Sequence, residues 1–166
     1  MPESESAEFV QIMRLLTDAG VDFVVIGGLA LQIVGGNHLT LDADFAFSRR
    51  RENARILVEA LAPYHPRPVE WPDGLPFVWD AQTVMNMTTL TLDTDLGRVD
   101  FLAEPEGAPP YALLKERAGS VDLGGRMVLV ASIDDLISMK RAAGRPKDLA
   151  HIAELETIKR LLAEGG

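Results

Sequence analysis

Hydrophobic residues recur at helical spacing near the start of the chain. They predict an amphipathic helix over 4–19, which Gly20 ends. The run DFVVI at 22–26 is rich in β-branched residues and predicts a short buried strand. Gly27-Gly28 then turns the chain into a short apolar helix over 29–34. The apolar stripe of the first helix consists of Phe9, Val10, Met13 and Leu16.

The next segment, LDADFAF at 41–47, alternates with a period of two residues, which is typical of a strand with one buried face. Two aspartates, Asp42 and Asp44, occupy the polar positions of this pattern. The apolar positions are Leu41, Ala43, Phe45 and Phe47. The pattern therefore predicts two carboxylates side by side on one face of a strand.

The remaining pattern mixes helices and strands. Because the two types are interleaved, we predict one α/β (α+β) domain over 1–166, with a small mixed β-sheet and helices packed on it. The predicted elements are a helix over 50–61 capped by Ser48, a proline-rich loop over 62–76, a hairpin of strands 88–92 and 98–102, a short helix over 111–118, a strand over 127–130, a helix capped by Ser132 and ended by Gly144, and a last helix from Pro146 to about Glu164.

Composition narrows the classes of function. The chain has no cysteine, which excludes disulfides and thiol nucleophiles. Its three histidines show no metal-ligand spacing, so a zinc enzyme is not expected. No signal peptide or membrane segment is apparent, and we expect a cytoplasmic protein. The net charge of −9 disfavours non-specific nucleic-acid binding, and an anionic ligand would need metal ions or local cations.

Aspartates placed at i and i+2 on a strand indicate a metal site. Two like charges held close together repel, and a cation between Asp42 and Asp44 would remove that penalty. Mg²⁺ suits carboxylates and substrate phosphates together. Asp100, between two apolar residues on a later predicted strand, is the third candidate. Three converging carboxylates would form a two-metal clamp, whereas the alternative is that they are ordinary residues at solvated strand ends.

The glycine pair adds to this interpretation. Gly27 and Gly28 follow a buried strand and open a helix, where a phosphate can approach the backbone and the helix N-terminus. The alternative is a tight strand-to-helix turn with no ligand. Three motifs occur in order: a strand, glycine pair and helix, then D-x-D, then a later strand with one aspartate. Chance is less able to explain all three together than any one of them.

The segments VVIGGLAL, LTLDADF and GRVDFL resemble the polymerase-β-type nucleotidyltransferases, in particular the minimal branch that includes the AbiEii-like toxins of toxin–antitoxin systems. The segment DDLISMKRAAGRPKDLAHIAEL resembles the stretch that ends many such bacterial proteins, with a K-x4-R-x2-D arrangement. The resemblance covers roughly residues 21 to 156. It implies a nucleotidyltransferase-like fold in which helices from about residue 132 complete the site.

The resemblance also implies a reaction: transfer of a nucleoside monophosphate from a nucleoside triphosphate to a hydroxyl of an RNA or protein acceptor. In a toxin–antitoxin system an antitoxin would be a further partner. The implied catalytic and metal-binding residues, which would hold two Mg²⁺ ions, are Asp42, Asp44 and Asp100. The implied nucleotide-binding residues are Gly27, Gly28, Lys140, Arg145 and Asp148, where Asp148 would orient a cation.

Two residues depart from the family pattern. His38 stands where an arginine is often found before the first carboxylate, and His151 stands where a further aspartate is often found. They motivate a second hypothesis, a catalytically inactive nucleotide-binding or regulatory partner protein with the same fold. A third is a metal-dependent phosphohydrolase that uses the same carboxylates. Lys140 and Arg145 also have an alternative, a solvated basic helix end.

Overall fold

A computed structural model describes the backbone of residues 2–36 and 42–165, and the side chains of these residues from Phe9 onward. His38 and Leu41 lie outside the described residues. The helices are α1 Pro2–Ala19, α2 Gly27–Ile33, α3 Arg51–Leu61, α4 Ala81–Asn86, α5 Tyr111–Arg117, α6 Ile133–Ala143 and α7 Pro146–Gly165. The strands are β1 Phe23–Ile26, β2 Ala43–Phe47, β3 Arg67–Pro68, β4 Thr89–Thr94, β5 Gly97–Leu102, β6 Gly119–Asp122 and β7 Met127–Val130.

The strands form one mixed sheet in the order β3-β4-β5-β2-β1-β7-β6. β2 is parallel to β5 and β1 is parallel to β7, whereas the other neighbours are antiparallel. The central strands β5, β2 and β1 therefore bring together segments that lie far apart in sequence. The predicted class, a small mixed sheet with helices packed on it, is confirmed.

Aromatic residues fill the core on one face of these central strands. The ring centroids of Phe45 and Phe101 lie 5.6 Å apart, and Phe23 meets Phe45 edge-on at 5.2 Å. Both Phe45 and Phe101 are fully buried, together with apolar residues of α1 and α3 such as Leu16 and Leu57. This face is the apolar side of the predicted alternation, so the carboxylates of β2 and β5 point to the opposite face.

The structure corrects the predicted start of the third helix. Arg50, and not Ser48, is the N-cap of α3, and no side chain caps it. Ser48 is buried, and its carbonyl accepts a hydrogen bond of 2.6 Å from the Asn53 amide. Asn53 also bonds to the backbone of Asp22, at 2.7 Å to its N–H and 3.1 Å to its carbonyl. A contact between distant segments therefore determines this turn.

Four short elements of the described chain were not predicted, the first of them a 3₁₀-helix over Ala62–Tyr64. β3 is a two-residue edge strand inside the predicted loop, and β6 is a largely exposed edge strand without apolar alternation. α4 could have been predicted from its N-cap residue, Asp80. The Asp80 carboxylate accepts a hydrogen bond of 2.8 Å from the Thr83 N–H. The predicted cap of α6 is confirmed, because Ser132 Oγ accepts from the Asp135 N–H at 3.1 Å.

Candidate active site

Adjacent parallel strands bring Asp44 and Asp100 side by side. The two residues are direct partners in the register of β2 and β5, and Ile26 is the partner of Asp44 on β1. Residues paired in this way project from the same face of a sheet. The sequence therefore placed both aspartates on the correct face, and the register of the two strands makes them neighbours.

Burial and mutual repulsion make it unfavourable for the two carboxylates to be charged at the same time. Burial, and next the negative charge of Asp100, raise the pKa of Asp44 from 3.8 to about 7. One oxygen of the neighbouring carboxylate, Asp100 Oδ1, is buried and has no hydrogen-bond partner among the described residues. A buried acceptor without a donor is costly, and a divalent cation is the ligand that would satisfy it and relieve the repulsion. The pair therefore fits a hard metal ion.

Asp42 occupies a different environment. It precedes β2 in a bend, its side chain is 47% exposed, and its Oδ1 lies 3.7 Å from Nε of Arg98. In residues 2–36 and 42–165, no group of three or more acidic, histidine or cysteine side chains is arranged to hold a metal ion. The structure thus pairs two of the three predicted carboxylates in register, while the third is near enough to contribute to the raised pKa of Asp44 but contacts Arg98. The contact between Arg98 and Asp42 was not predicted. The alternation of GRVDFL does place Arg98 on the same strand face as Asp100, two residues earlier.

Gly27 lies directly against Asp44. Its φ angle of +67° is in the left-handed region, and a Cβ atom built on it would overlap the Asp44 carboxylate. α2 begins at Gly27 itself, two residues earlier than predicted. The glycine is therefore required by a close approach to the carboxylate as well as by the turn.

We expect Gly27→Ala to destabilise the protein more than the matched change Gly20→Ala. Gly20 has a similar φ angle of +84°, but a Cβ there meets nothing within 4 Å. The left-handed backbone should cost each variant about 1 kcal/mol, and displacement of Asp44 should bring the loss at Gly27 to roughly 3 kcal/mol. Urea denaturation of both variants measures the difference, and equal losses would show that the contact with Asp44 has no effect on stability.

Three charged residues, Lys140, Arg145 and Asp148, lie around the turn between α6 and α7. Gly144 ends α6 in the left-handed conformation, and the chain turns at once into α7. Asp148, in the first turn of α7, is completely buried and accepts from Arg145 Nε at 2.8 Å and from the Arg145 N–H at 3.0 Å. Lys140 Nζ lies 3.6 Å from the other oxygen of Asp148. The predicted arrangement, in which Asp148 orients a cation, is present for two cations.

The charges of this group affect one another's titration. Hydrogen bonds from Arg145 hold the pKa of Asp148 down at about 2. Burial lowers the pKa of Lys140, whose side chain is only 12% exposed. Asp148, and more weakly Asp44, raise the pKa of Arg145. Arg145 and Lys140 line the same cleft as Asp44, which is consistent with the effect of Asp44 on Arg145.

A single cleft lies between Asp44 on the sheet and the cations Lys140 and Arg145. Its volume is about 190 Å³, and Gly27 and Asp44 line it on the sheet side. Lys140 and Arg145 line it on the helical side, and Glu106 borders it. The cleft therefore has a carboxylate wall and a cationic wall, which suits a metal-bound polyphosphate. His151 lies on α7 outside this lining.

None of the described helices is long and apolar enough to cross a membrane. No protein-family model and no curated protein sequence matches the chain.

Solved structures match the fold. The lincosamide antibiotic adenylyltransferase LnuA, solved with lincomycin bound, superposes with a TM-score of 0.61 at 15% identity, covering 92% of this chain and 96% of that one. ANT(2")-Ia, solved with adenylyl-2"-tobramycin, gives 0.57 at 15% identity over 99% and 97%. An antigenic nucleotidyltransferase-like protein from Paracoccidioides brasiliensis gives 0.60 at 15% identity over 95% and 78%. The chain therefore has a nucleotidyltransferase-like fold.

Proposed function

We propose that this protein is a Mg²⁺-dependent nucleotidyltransferase that moves a nucleoside monophosphate from a nucleoside triphosphate to a hydroxyl of an acceptor. One observation carries the proposal. Asp44, the register partner of Asp100 on the neighbouring strand, faces Lys140 and Arg145 across a single cleft. The fold shared with adenylyltransferases supports the same reaction class.

Asp44 and Asp100 would hold the magnesium, and Asp42 would join them on release from Arg98. Two Mg²⁺ ions, when bound, would lower the pKa of the attacking hydroxyl and stabilise the charge on the leaving pyrophosphate.

The protein's own groups would bind and orient the triphosphate. Lys140 and Arg145 project into the cleft and would donate to phosphate oxygens. Asp148 fixes both cations, since it contacts each of them and is itself completely buried. Asp100 Oδ1, which lacks a donor among the described residues, would be the oxygen that the metal ion engages.

The acceptor would approach from the β4 side of Asp100. Thr91 is the partner of Asp100 in the β4–β5 register, and Thr89 and Asp93 are exposed on the same face of β4. These side chains offer hydroxyl and carboxylate groups to a polar molecule.

We favour a hydroxylated small molecule over the RNA or protein acceptor that the resemblance implied. LnuA and ANT(2")-Ia, solved with small molecules, match this chain over nearly their whole length. The net charge of −9 also disfavours RNA. In the toxin hypothesis, growth arrest on expression would accompany transfer to a cellular RNA or protein, and an antitoxin would relieve it.

A second candidate function is nucleotide binding without transfer. The ion pair of Asp42 with Arg98 favours it, since it engages the third predicted metal ligand with a cation of the protein itself. Labelled nucleotide incorporated into any acceptor would eliminate this candidate. Tight triphosphate binding with no product would support it.

Thermal unfolding with each nucleoside triphosphate, with and without Mg²⁺, tests the proposed site. A ligand that binds only the folded protein stabilises it by about 2.7 kcal/mol at a hundredfold excess over Kd. We expect a Mg²⁺-dependent increase in Tm for the wild type. Lys140→Ala should weaken binding by about tenfold or more, because a charge-assisted contact to phosphate is lost.

Lys159→Ala is the matched control. Lys159 is an exposed lysine of α7, paired with Asp134 at 2.6 Å and absent from the cleft, so its removal should leave nucleotide binding unchanged. Equal effects of the two lysine variants, or no response of the wild type to any nucleotide, would count against the proposed site.

A further inference from the structure

A second cavity lies at the opposite end of the sheet from Asp44. Its volume is about 510 Å³, which is within the usual range for small-molecule sites, roughly 300 to 1,000 Å³. It is lined by residues 47–50, which follow β2, by Ala103 and Glu104, which follow β5, and by Asp22, which precedes β1. Tyr111 and Lys115 of α5 complete the wall.

Hydrogen bonds hold one part of the cavity wall in place. Asn53, which is 6% exposed, bonds to the backbone of both Asp22 and Ser48. The Tyr111 hydroxyl donates to Asp22 Oδ1 at 2.7 Å, and Lys115 Nζ lies 3.0 Å from the same oxygen. The wall formed by Asp22, Tyr111 and Lys115 is thus held in place without a ligand.

The charge inside this cavity is positive, in a chain with a net charge of −9. Lys115 is matched by Asp22. Among the side chains that the structure describes, Arg49 meets only the Glu104 carboxylate, at 4.0 Å, and the Glu104 side chain is 75% exposed. Arg50 has no carboxylate within ion-pair distance in the part of the chain that the structure describes. The two adjacent arginines are therefore available to an anion.

We propose that this cavity binds a phosphorylated, sugar-sized molecule. Arginine guanidinium groups present parallel N–H donors that match phosphate oxygens, and both Arg49 and Arg50 line this cavity. Asp22 and Tyr111 offer a carboxylate and a phenol to the hydroxyl groups of such a ligand. The proposal does not rest on the proposed catalytic function, because none of these residues lines the cleft of Asp44.

The cavity is nevertheless connected to that cleft. β2 and β5, which carry Asp44 and Asp100, both end at it, and the chain from Glu104 continues into the cleft lining at Pro105 and Glu106. The next residue, Gly107, accepts a hydrogen bond of 2.6 Å from Ser138 Oγ on α6, the helix that carries Lys140. An occupant of the cavity would therefore contact the segment that borders the proposed active site.

Isothermal titration calorimetry in EDTA-containing buffer at constant ionic strength tests the proposal, with inorganic phosphate, ribose 5-phosphate and citrate as probes. We expect saturable binding of ribose 5-phosphate that is tighter than that of inorganic phosphate, and weaker or no binding of citrate. Arg50→Glu should weaken ribose 5-phosphate binding by about tenfold or more, because it replaces a donor to phosphate with a carboxylate.

Arg51→Glu is the matched control, because it changes the net charge equally at the next position, which does not line the cavity. It should alter the affinity by less than about twofold, and Asp44→Asn should leave it unchanged. Absence of saturable ribose 5-phosphate binding would overturn the proposal, as would equal weakening by the two arginine variants. Tighter binding of citrate would overturn the phosphorylated class, and loss of binding in Asp44→Asn would move the ligand to the catalytic cleft.

Discussion

Asp44→Asn is expected to abolish nucleotidyl transfer, lowering kcat/KM by roughly a thousandfold or more. The substitution removes the charge of the carboxylate that shares a register position with Asp100, and so removes half of the proposed metal-binding pair. A transfer assay with labelled triphosphate and a candidate small hydroxylated acceptor measures the effect. If the variant transfers as fast as the wild type, the carboxylate pair is not catalytic.

The same variant should make the metal-free protein more stable. The folded-state pKa of Asp44, about 7, lies above its ordinary value of 3.8, so the folded protein retains this proton where the unfolded chain has released it. Stability is therefore lost as the pH rises from about 4 to about 7. Asparagine carries no charge to desolvate, and we expect a gain of roughly 2 kcal/mol at pH 8 in EDTA.

Urea denaturation between pH 4 and pH 8 separates this effect from a general loss of charge. Asp93→Asn removes a carboxylate from an exposed position of β4 and should leave the free energy of unfolding nearly unchanged. A gain of stability together with a loss of transfer would identify Asp44 as a residue kept for function. A loss of stability in Asp44→Asn would mean that the carboxylate makes a stabilising contact in the folded protein.

Asp148→Asn is expected to destabilise the protein by about 3 kcal/mol at pH 7. Asp148 is completely buried between Lys140 and Arg145, and its removal leaves a largely buried lysine without its counter-charge. The pKa of Asp148 lies near 2, below its ordinary value of 3.8. Its stabilising contribution is thus complete above about pH 4 and is lost as the pH falls toward 2. The variant should lack this acid-dependent loss.

Asp134→Asn provides the control for a salt bridge of similar length in solvent. Asp134 pairs with Lys159 at 2.6 Å, but both side chains are more than half exposed, and little change in stability is expected. Triphosphate affinity separates a structural from a positioning role. If Asp148→Asn is destabilised but binds nucleotide as the wild type does, Asp148 does not position Lys140 and Arg145 for the ligand.

The parts of the site that local pattern determines could be predicted from the sequence. Alternation placed Asp44 and Asp100 on the polar faces of two strands, and the glycine pair marked the turn before α2. The grouping of Lys140 and Arg145 around Asp148 followed from a resemblance and not from pattern, because the contact depends on the turn between α6 and α7.

Other features depend on contacts between distant segments. No local signal shows that β2 and β5 are neighbours, or that Asp42 lies beside Arg98. The prediction that Ser48 caps α3 was wrong for the same reason. The Asn53 side chain donates to the carbonyls of both Ser48 and Asp22, and the second of these lies in a distant segment. β3 and β6 lie at the two edges of the sheet, where exposure removes the apolar alternation by which strands are predicted.

The parallel pairing of β2 with β5 also determines where insertions and deletions can be tolerated in the chain between them. Four register pairs, including Asp44 with Asp100, fix the spacing of the two carboxylates. The chain between the two strands has no part in that spacing, and its segment 69–80, between β3 and α4, contains no regular helix or strand. Insertions or deletions there should leave the carboxylate pair intact and alter the surface beyond β4. Under the proposed function, a lineage could therefore exchange one acceptor for another by varying loop length while the carboxylate pair stayed the same.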